Sequence, residues 1–312
     1  MEIYLTADEV ARSLREDVRR GLAADPRRLP PKWFYDARGS ELFERITELP
    51  EYYPTRAETA ILRAHAGDIA AVTGTRTLIE LGSGYSTKTR LLLDALPLSS
   101  YVMVDVSPSA LTAASSLVSA NYPALAIRTI VGDFARHPFP DAPARTVALL
   151  GGTIGNLLPA ERAEFFSAVR AQLRPGEHLL LGTDLVKDPH VLVPAYDDAA
   201  GVTAEFNRNV LRVLNRELDA DFDLDGFAHV ALWDAGHEWI EMRLRARWPM
   251  RVTIPAVDLV TEFAAGSELR TEISAKFRRE GVEKELAEAG FTLAEWWTDP
   301  EGRFAVSLTV AS

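Results

Sequence analysis

At 312 residues with 47% hydrophobic content, the chain has enough apolar surface for one large domain or two modest ones. Its formal charge of −11 argues against the clustered basic face that nucleic acid needs, and zero cysteines exclude a disulfide framework, a thiolate zinc site and thiol catalysis. No apolar run approaches the roughly 20 residues that span a bilayer, and the polar, acidic "MEIYLTADEVARSLREDV" is unlike a signal peptide, so a cytoplasmic protein with a small-molecule partner is expected. The six histidines (His65, His137, His178, His190, His229 and His237) show no metal-ligand spacing, and no metal site is expected.

"TADEVARSLREDVRRGL" carries Val10, Leu14, Val18 and Leu22 at four-residue intervals behind Thr6 and Glu9, which predicts an amphipathic helix opened by a capping box. "DPRRLPPKWFYDARGSELF" reads as a loop with three adjacent aromatics, and a second helical pattern leads from it to "LPEYYPTRAE". From about residue 76 the chain alternates short apolar runs with helical segments: "TLIEL", "YVMVDV", "LAIRTIVGDF", "TVALLGGTIGNL", then the helix "PAERAEFFSAVRAQL" and the strand "HLLLGTDL". That alternation predicts parallel strands with right-handed crossovers, a doubly wound α/β sheet. Pro159 at a helix start and Gly176 in the following turn agree with it. "AYDDAAGVTAEFNRNVLRVLNREL" reads as a helix, and "HVALWDAGHEWIEMRLRARW" as a hairpin about "DAGH" within a mostly antiparallel insertion. "TEISAKF", the helix "VEKELAEAGF" and the strand "RFAVSLTV" follow, the last returning to the sheet.

Ligands of an open α/β sheet bind outside the carboxyl ends of its strands, so those ends carry the functional information. In "LIELGSGYSTKTRLLLDAL" two glycines fall at a strand-to-helix turn. Gly82 and Gly84 there allow positive φ and close approach of a ligand to the main chain, beside the unpaired N–H groups of a helix start. Asp105 ends the second strand, 21 residues after Gly84, a spacing at which a carboxylate accepts from ribose hydroxyls. Asp133 and Phe134 end the third and suit an adenine; "GGTIGN", opening with Gly151, ends the fourth. Thr87 stands where a dinucleotide fingerprint needs its third small residue, and no basic phosphate clamp is present. The cofactor that fits is S-adenosylmethionine, in preference to a nicotinamide dinucleotide.

These motifs together resemble a known family. "LPPKWFYDARGSELFERITELPEYYPTRAE", "LIELGSG", "GDF", "GTIGNL", "LLLGTDLVKD", "AYDDAAGVTAEFNRNVL" and "TEISAKFR" closely resemble the histidine-specific methyltransferases of ergothioneine biosynthesis, over nearly the whole chain. "PPKWFYD" and "YDDAAGVTAEFNRN" are the most specific. The cofactor loop departs from the family pattern at Tyr85 and Thr87.

The resemblance implies a Rossmann-like S-adenosylmethionine-dependent methyltransferase domain over 57–186 and 276–312, with an additional α+β substrate-binding domain over 1–56 and 187–275. It implies three successive methyl transfers to the α-amine of L-histidine, giving hercynine, by a monomer. By the same resemblance Asn156 and Tyr196 hold the amino-acid head, and Tyr52, Glu272 and Ser274 surround the imidazole, with Met242 lining it. Tyr35 borders the amine, so Tyr35 and Asn156 are the residues expected nearest the chemistry. Lys88 and Tyr35 complete a cofactor set of Gly82, Asp105, Asp133, Phe134 and Gly151. Strand alternation independently puts Glu272 and Ser274 on one face of "TEISAKF", expected to recognise, and Ile273, Ala275 and Phe277 on the other, expected to pack. A betaine synthase acting on another amino acid such as tryptophan is the alternative within the same chemistry. Glu272 and Ser274 disfavour it, because an indole has one donor. A cofactor-binding regulator without catalysis is disfavoured because Tyr35, Tyr52, Asn156, Tyr196, Glu272 and Ser274 all stand.

Overall fold

The computed structural model describes residues 1–83, 88–132 and 137–312, which divide into two compact units. The first comprises Met1–Leu5, Pro54–Val186 and Lys276–Ser312; the second comprises Thr6–Tyr53 and Lys187–Ala275. In chain order the strands of the described residues begin β1 (Glu2–Ile3), β2 (Thr77–Leu81), β3 (Ser100–Asp105), β4 (Ala126–Val131), β5 (Arg145–Leu149) and β6 (His178–Asp184). They continue β7 (Phe227–Asp234), β8 (Trp239–Ala246), β9 (Met250–Ile254), β10 (Leu259–Phe263), β11 (Glu268–Ala275), β12 (Phe291–Thr298) and β13 (Phe304–Ala311). The helices are α1 (Ala7–Ala23), α2 (Ala37–Glu48), α3 (Pro54–Thr73), α4 (Arg90–Ala95), α5 (Pro108–Asn121), α6 (Pro159–Gln172), α7 (Pro189–Leu192), α8 (Val202–Leu218) and α9 (Arg279–Glu288).

The first unit is an eight-stranded sheet in the order β1-β4-β3-β2-β5-β6-β13-β12. Strands β1 to β6 run parallel, and β13 and β12 are antiparallel additions at one end. Strand order reverses between β2 and β5: the chain winds outward through β3 and β4, then returns to the other side of β2 through β5 and β6. The doubly wound sheet expected from the apolar runs is therefore present, with its switch point between β2 and β5. Two strands of this sheet escaped the sequence reading. β12 lies between the expected α9 and β13, and the two-residue β1 pairs with β4, which puts Met1–Leu5 with the sheet rather than with residues 6–56.

Every residue of β2, β5 and β6 is buried, as parallel strands covered on both faces require. Ile61, Leu62 and Ile69 of α3 pack with Leu78, Leu180 and Val306 in one apolar cluster, each such side chain contributing about 2 kcal/mol by leaving water. Polar pairs fix the edges of this core. Arg145 and Glu177, both buried, meet at 2.6 Å where β5 and β6 begin, and Arg162 ties α6 to Glu285 of α9 at 2.6 Å.

In the second unit α1 starts as expected, with Thr6 Oγ1 accepting from the Glu9 N–H and the Glu9 carboxylate accepting from the Thr6 N–H. Leu14, Val18 and Leu22 are buried on its inner face. α8 begins at Val202, later than the periodicity alone suggests, because the Asp198 carboxylate accepts from the N–H groups of Val202 and Thr203 at 3.0 and 2.7 Å. β7 and β8 form the expected hairpin, closed by Asp234 Oδ1 accepting from the Gly236 and His237 N–H groups. With β11 they make an antiparallel sheet in the order β11-β8-β7, and β9 pairs with β10 separately. No helix of the described residues is long and apolar enough to cross a membrane.

Candidate active site

In the first unit the residues at the switch point come from the ends of β2 and β5. β2 ends at Leu81, and the next residue, Gly82, has φ +69°, a left-handed conformation that Gly adopts without cost. Its N–H donates to the Val104 carbonyl at 2.8 Å, and a Cβ there would meet nothing within 4 Å among the described residues. Ser83 beside it is buried, and its Oγ has no hydrogen-bond partner among the described residues, so a polar atom there awaits a ligand or water. Asp105 ends β3, its Oδ1 accepting from the Ser107 N–H at 2.9 Å, which fixes the carboxylate at the strand end. Gly84, Tyr85, Thr87, Asp133 and Phe134 lie outside the described residues.

Across the switch point, Gly151 follows β5 with φ +79°. Its N–H donates to both carboxylate oxygens of Glu58 at 2.9 and 3.0 Å, and Glu58 also accepts from the Lys88 ammonium. Glu58 is completely buried on α3 while Lys88 keeps 16% of its side chain exposed. A buried carboxylate is stable only when paired and hydrogen-bonded, and here one carboxylate joins the two loops that flank the switch point. The sequence reading named Lys88 and Gly151 but missed Glu58. A glutamate on a helix reads as solvated; its only signal was that it closes the "PEYYPTRAE" motif. Asn156 ends the short 3-10 turn Thr153–Asn156 after β5, half-buried.

The Gly82 turn, the orphaned Ser83 hydroxyl, Asp105 and the anchored Lys88 fit a nucleoside ligand bearing an amino-acid tail. The turn offers close main-chain approach, the Asp105 carboxylate suits ribose hydroxyls, and Lys88 suits a carboxylate.

The second unit gathers most of the residues expected to meet the substrate. The Tyr196 hydroxyl and Ser274 Oγ lie 2.7 Å apart, and the Tyr196 ring meets the Tyr52 ring edge-on at 6.5 Å. Tyr52 contacts Phe43 at 6.1 Å, and Phe43 contacts Tyr35 at 5.7 Å, so one chain of aromatic rings connects Tyr35, Tyr52 and Tyr196. Tyr35 itself follows the short helix Pro31–Phe34 and precedes Asp36, which caps α2 by accepting from the Gly39 N–H at 2.8 Å.

One expectation is corrected here. Glu272 and Ser274 do share a face of β11, but it is the face that also carries the apolar core. Glu272 stands opposite Met242 and Ser274 opposite Ile240, and residues directly opposite in an antiparallel pair point to the same side. Met242, Ile240 and Leu244 belong to the buried cluster of this unit, as does Leu269. The register shift between Arg270 and Glu272 is the cause. Thr271 is the extra residue of a bulge, so Glu272 continues the face of Leu269 instead of alternating away from it. Glu272 and Ser274 are consequently buried, while Ile273, Ala275 and Phe277 are buried too, as expected, with Ile273 opposite Glu241 on the other face.

Comparison with known proteins identifies the family. The family described as histidine-specific methyltransferase, SAM-dependent, matches residues 14–311. The histidine N-alpha-methyltransferase of Mycolicibacterium smegmatis is 56% identical over 313 residues, covering 98% of each chain. That of Mycobacterium tuberculosis is 52% identical over 311 residues, covering 98% of this chain and 97% of the relative. Among solved structures, the PH0226 protein of Pyrococcus horikoshii shares the fold at 16% identity, with TM-score 0.50 over 86% of this chain and 98% of its own. Matched along almost its full length, the chain belongs to the SAM-dependent, histidine-specific methyltransferase family.

Proposed function

We propose that this protein transfers three methyl groups in succession from S-adenosylmethionine to the α-amine of L-histidine, giving hercynine as the first step of ergothioneine biosynthesis. The observation that carries the reading is the buried couple of Tyr196 with Ser274, beside Glu272 and at one end of an aromatic series that begins at Tyr35. Hydroxyl and carboxylate partners in an otherwise apolar wall suit a small ligand with several polar groups, and they reject analogues that lack those groups. The names carried by the mycobacterial relatives support the same substrate.

In this reading Gly82, Lys88, Asp105, Asp133, Phe134 and Gly151, with Tyr35, hold the methyl donor. S-adenosylmethionine when bound supplies an electrophilic methyl on a sulfonium whose departure as a neutral thioether needs no acid. The nucleophile needs only a free lone pair, so the acceleration comes mainly from holding the amine in line, the role assigned to Asn156 and Tyr196. The proton displaced from nitrogen passes to water, directly or by way of Tyr35. Tyr52, Glu272 and Ser274 take the imidazole, with Met242 as its apolar wall. Purified protein incubated with S-adenosylmethionine and L-histidine, with L-tryptophan in a parallel reaction, tests the proposal by mass spectrometry. A gain of three methyl groups on histidine alone is expected; methylated tryptophan in place of histidine would overturn the roles of Glu272 and Ser274.

A further inference from the structure

His229 is a polar residue on a face built for apolar ones. It stands on β7 opposite Leu244, on the side of the sheet that carries Met242, Glu272 and Ser274, and its side chain is only 3% exposed. A buried imidazole there must have both nitrogens satisfied. Nε2 lies 2.7 Å from the Tyr196 carbonyl, which can only accept, so Nε2 carries the proton. Nδ1 lies 2.8 Å from the Asn207 amide nitrogen and therefore accepts. The amide cannot be the other way round: the same nitrogen donates to the Arg243 carbonyl at 3.1 Å, and Asn207 Oδ1 accepts from the Thr271 hydroxyl at 2.6 Å.

The bulge residue Thr271 thus reads through Asn207 and His229 to the main chain of Tyr196, whose hydroxyl returns to Ser274 three residues further along the same strand. Tyr196 is held at both ends by groups referenced to β11. The charged groups facing the imidazole are Asp197, 3.8 Å from Nε2 and half exposed, with Asp198 and Arg208. Burial holds its pKa below the ordinary histidine range despite the Tyr196 carbonyl and the nearby carboxylates, which agrees with a neutral ring.

We propose that His229 is a positioning residue for the amino-acid substrate: as its neutral Nε2–H tautomer, oriented by Asn207, it fixes the Tyr196 main chain so that the Tyr196 hydroxyl stays against Ser274. The inference rests on the reading that Tyr196 and Ser274 contact histidine. It assigns His229 a role that acts through Tyr196.

The test compares His229→Ala with His229→Gln, whose amide can still donate to the Tyr196 carbonyl. In His229→Ala the KM for histidine rises about tenfold, the loss of one buried hydrogen bond, while the dissociation constant for S-adenosylmethionine stays within twofold of wild type. His229→Gln recovers most of the KM. Nitrogen-15 spectra of histidine-labelled protein at neutral pH give the His229 ring as the Nε2–H tautomer. Turnover by the wild type combined with an unchanged KM in His229→Ala, or a ring found protonated at Nδ1, would overturn this inference alone. Equal loss of histidine and cofactor binding in both variants would reduce His229 to a general structural role and overturn it too. A wild type that binds cofactor yet never methylates histidine would overturn the substrate reading and this inference together.

Discussion

A Cβ placed on Gly182 would stand 2.1 Å from Oε1 of Glu58, far inside contact distance. Gly182 lies within β6 in an ordinary strand conformation, so its need for glycine comes from space, not from φ. The missing side chain makes room for the buried carboxylate that binds the Gly151 N–H and the Lys88 ammonium. Gly182→Ala should therefore displace Glu58 and cost about 2 kcal/mol of stability by overpacking. Loss of S-adenosylmethionine affinity should accompany it, because both loops at the switch point lose their shared anchor. Thermal melting and calorimetric titration of the cofactor check the two effects; an alanine variant with wild-type values in both would mean that the carboxylate is not needed where it lies.

Asp105 tests the opposite side of the same site. Its carboxylate is held at the end of β3 by the Ser107 N–H, an arrangement that positions it without using it in the core. Asp105→Ala should leave the melting temperature within a few degrees, as expected for a half-buried strand-end residue, and weaken S-adenosylmethionine by about 10- to 100-fold for the loss of a charge-assisted contact to two hydroxyls. Unaltered cofactor affinity would remove Asp105 from the ribose role.

Asp36 ties the turn after Tyr35 to α8. Burial pushes its carboxyl upward, but the bonds donated by the Gly39 N–H, Arg216 and Asn209 outweigh that and hold it below the ordinary aspartate range. A pKa lower in the folded than in the unfolded protein means stability that is present above the unfolded value of about 3.9 and lost as pH falls through the folded value. Asp36→Asn should thus destabilise at pH 7, by about 1 kcal/mol given its partial exposure, and the difference from wild type should shrink as pH drops below about 4. Denaturant unfolding at a series of pH values measures this; a constant difference across the series would assign the effect to geometry instead of charge.

What the sequence made legible was whatever is local or tied to a strand end. Thr6 and Glu9 announce a helix start because both partners of the box lie within four residues. Gly82, Asp105 and Gly151 could be named because doubly wound sheets bind ligands at carboxyl ends, whatever the rest of the chain does. Glu58 was illegible because its partners lie 30 and 93 residues away, and a glutamate in an amphipathic helix carries no sign of burial. His229 was hidden for the same reason, with partners 22 and 33 residues distant. The bulge at Thr271 was beyond reach of a period-two reading, since a bulge is a property of the pairing between two strands and not of either one.

That bulge decides how Glu272 should behave. Were β11 regular, Leu269, Thr271 and Ile273 would face the core and Glu272 would point the other way with Arg270, towards Glu241 and Arg243. With Thr271 as the extra residue, Glu272 is buried beside Met242 and one alternation from Ser274, in the wall that also holds Tyr196. A carboxylate in such a wall is a strong acceptor held in a low-dielectric setting, and a ligand imidazole N–H is a donor that suits it. Glu272→Ala should accordingly raise the KM for histidine by about 10- to 100-fold while S-adenosylmethionine binds as in the wild type, and Glu272→Gln, which keeps an acceptor of the same length without the charge, should fall between. Thermal melting of both variants shows whether they fold as the wild type does. Parallel loss of histidine and cofactor affinity would instead make Glu272 a structural member of the sheet, and recognition of the imidazole would then have to rest on Tyr52, Met242 and Ser274.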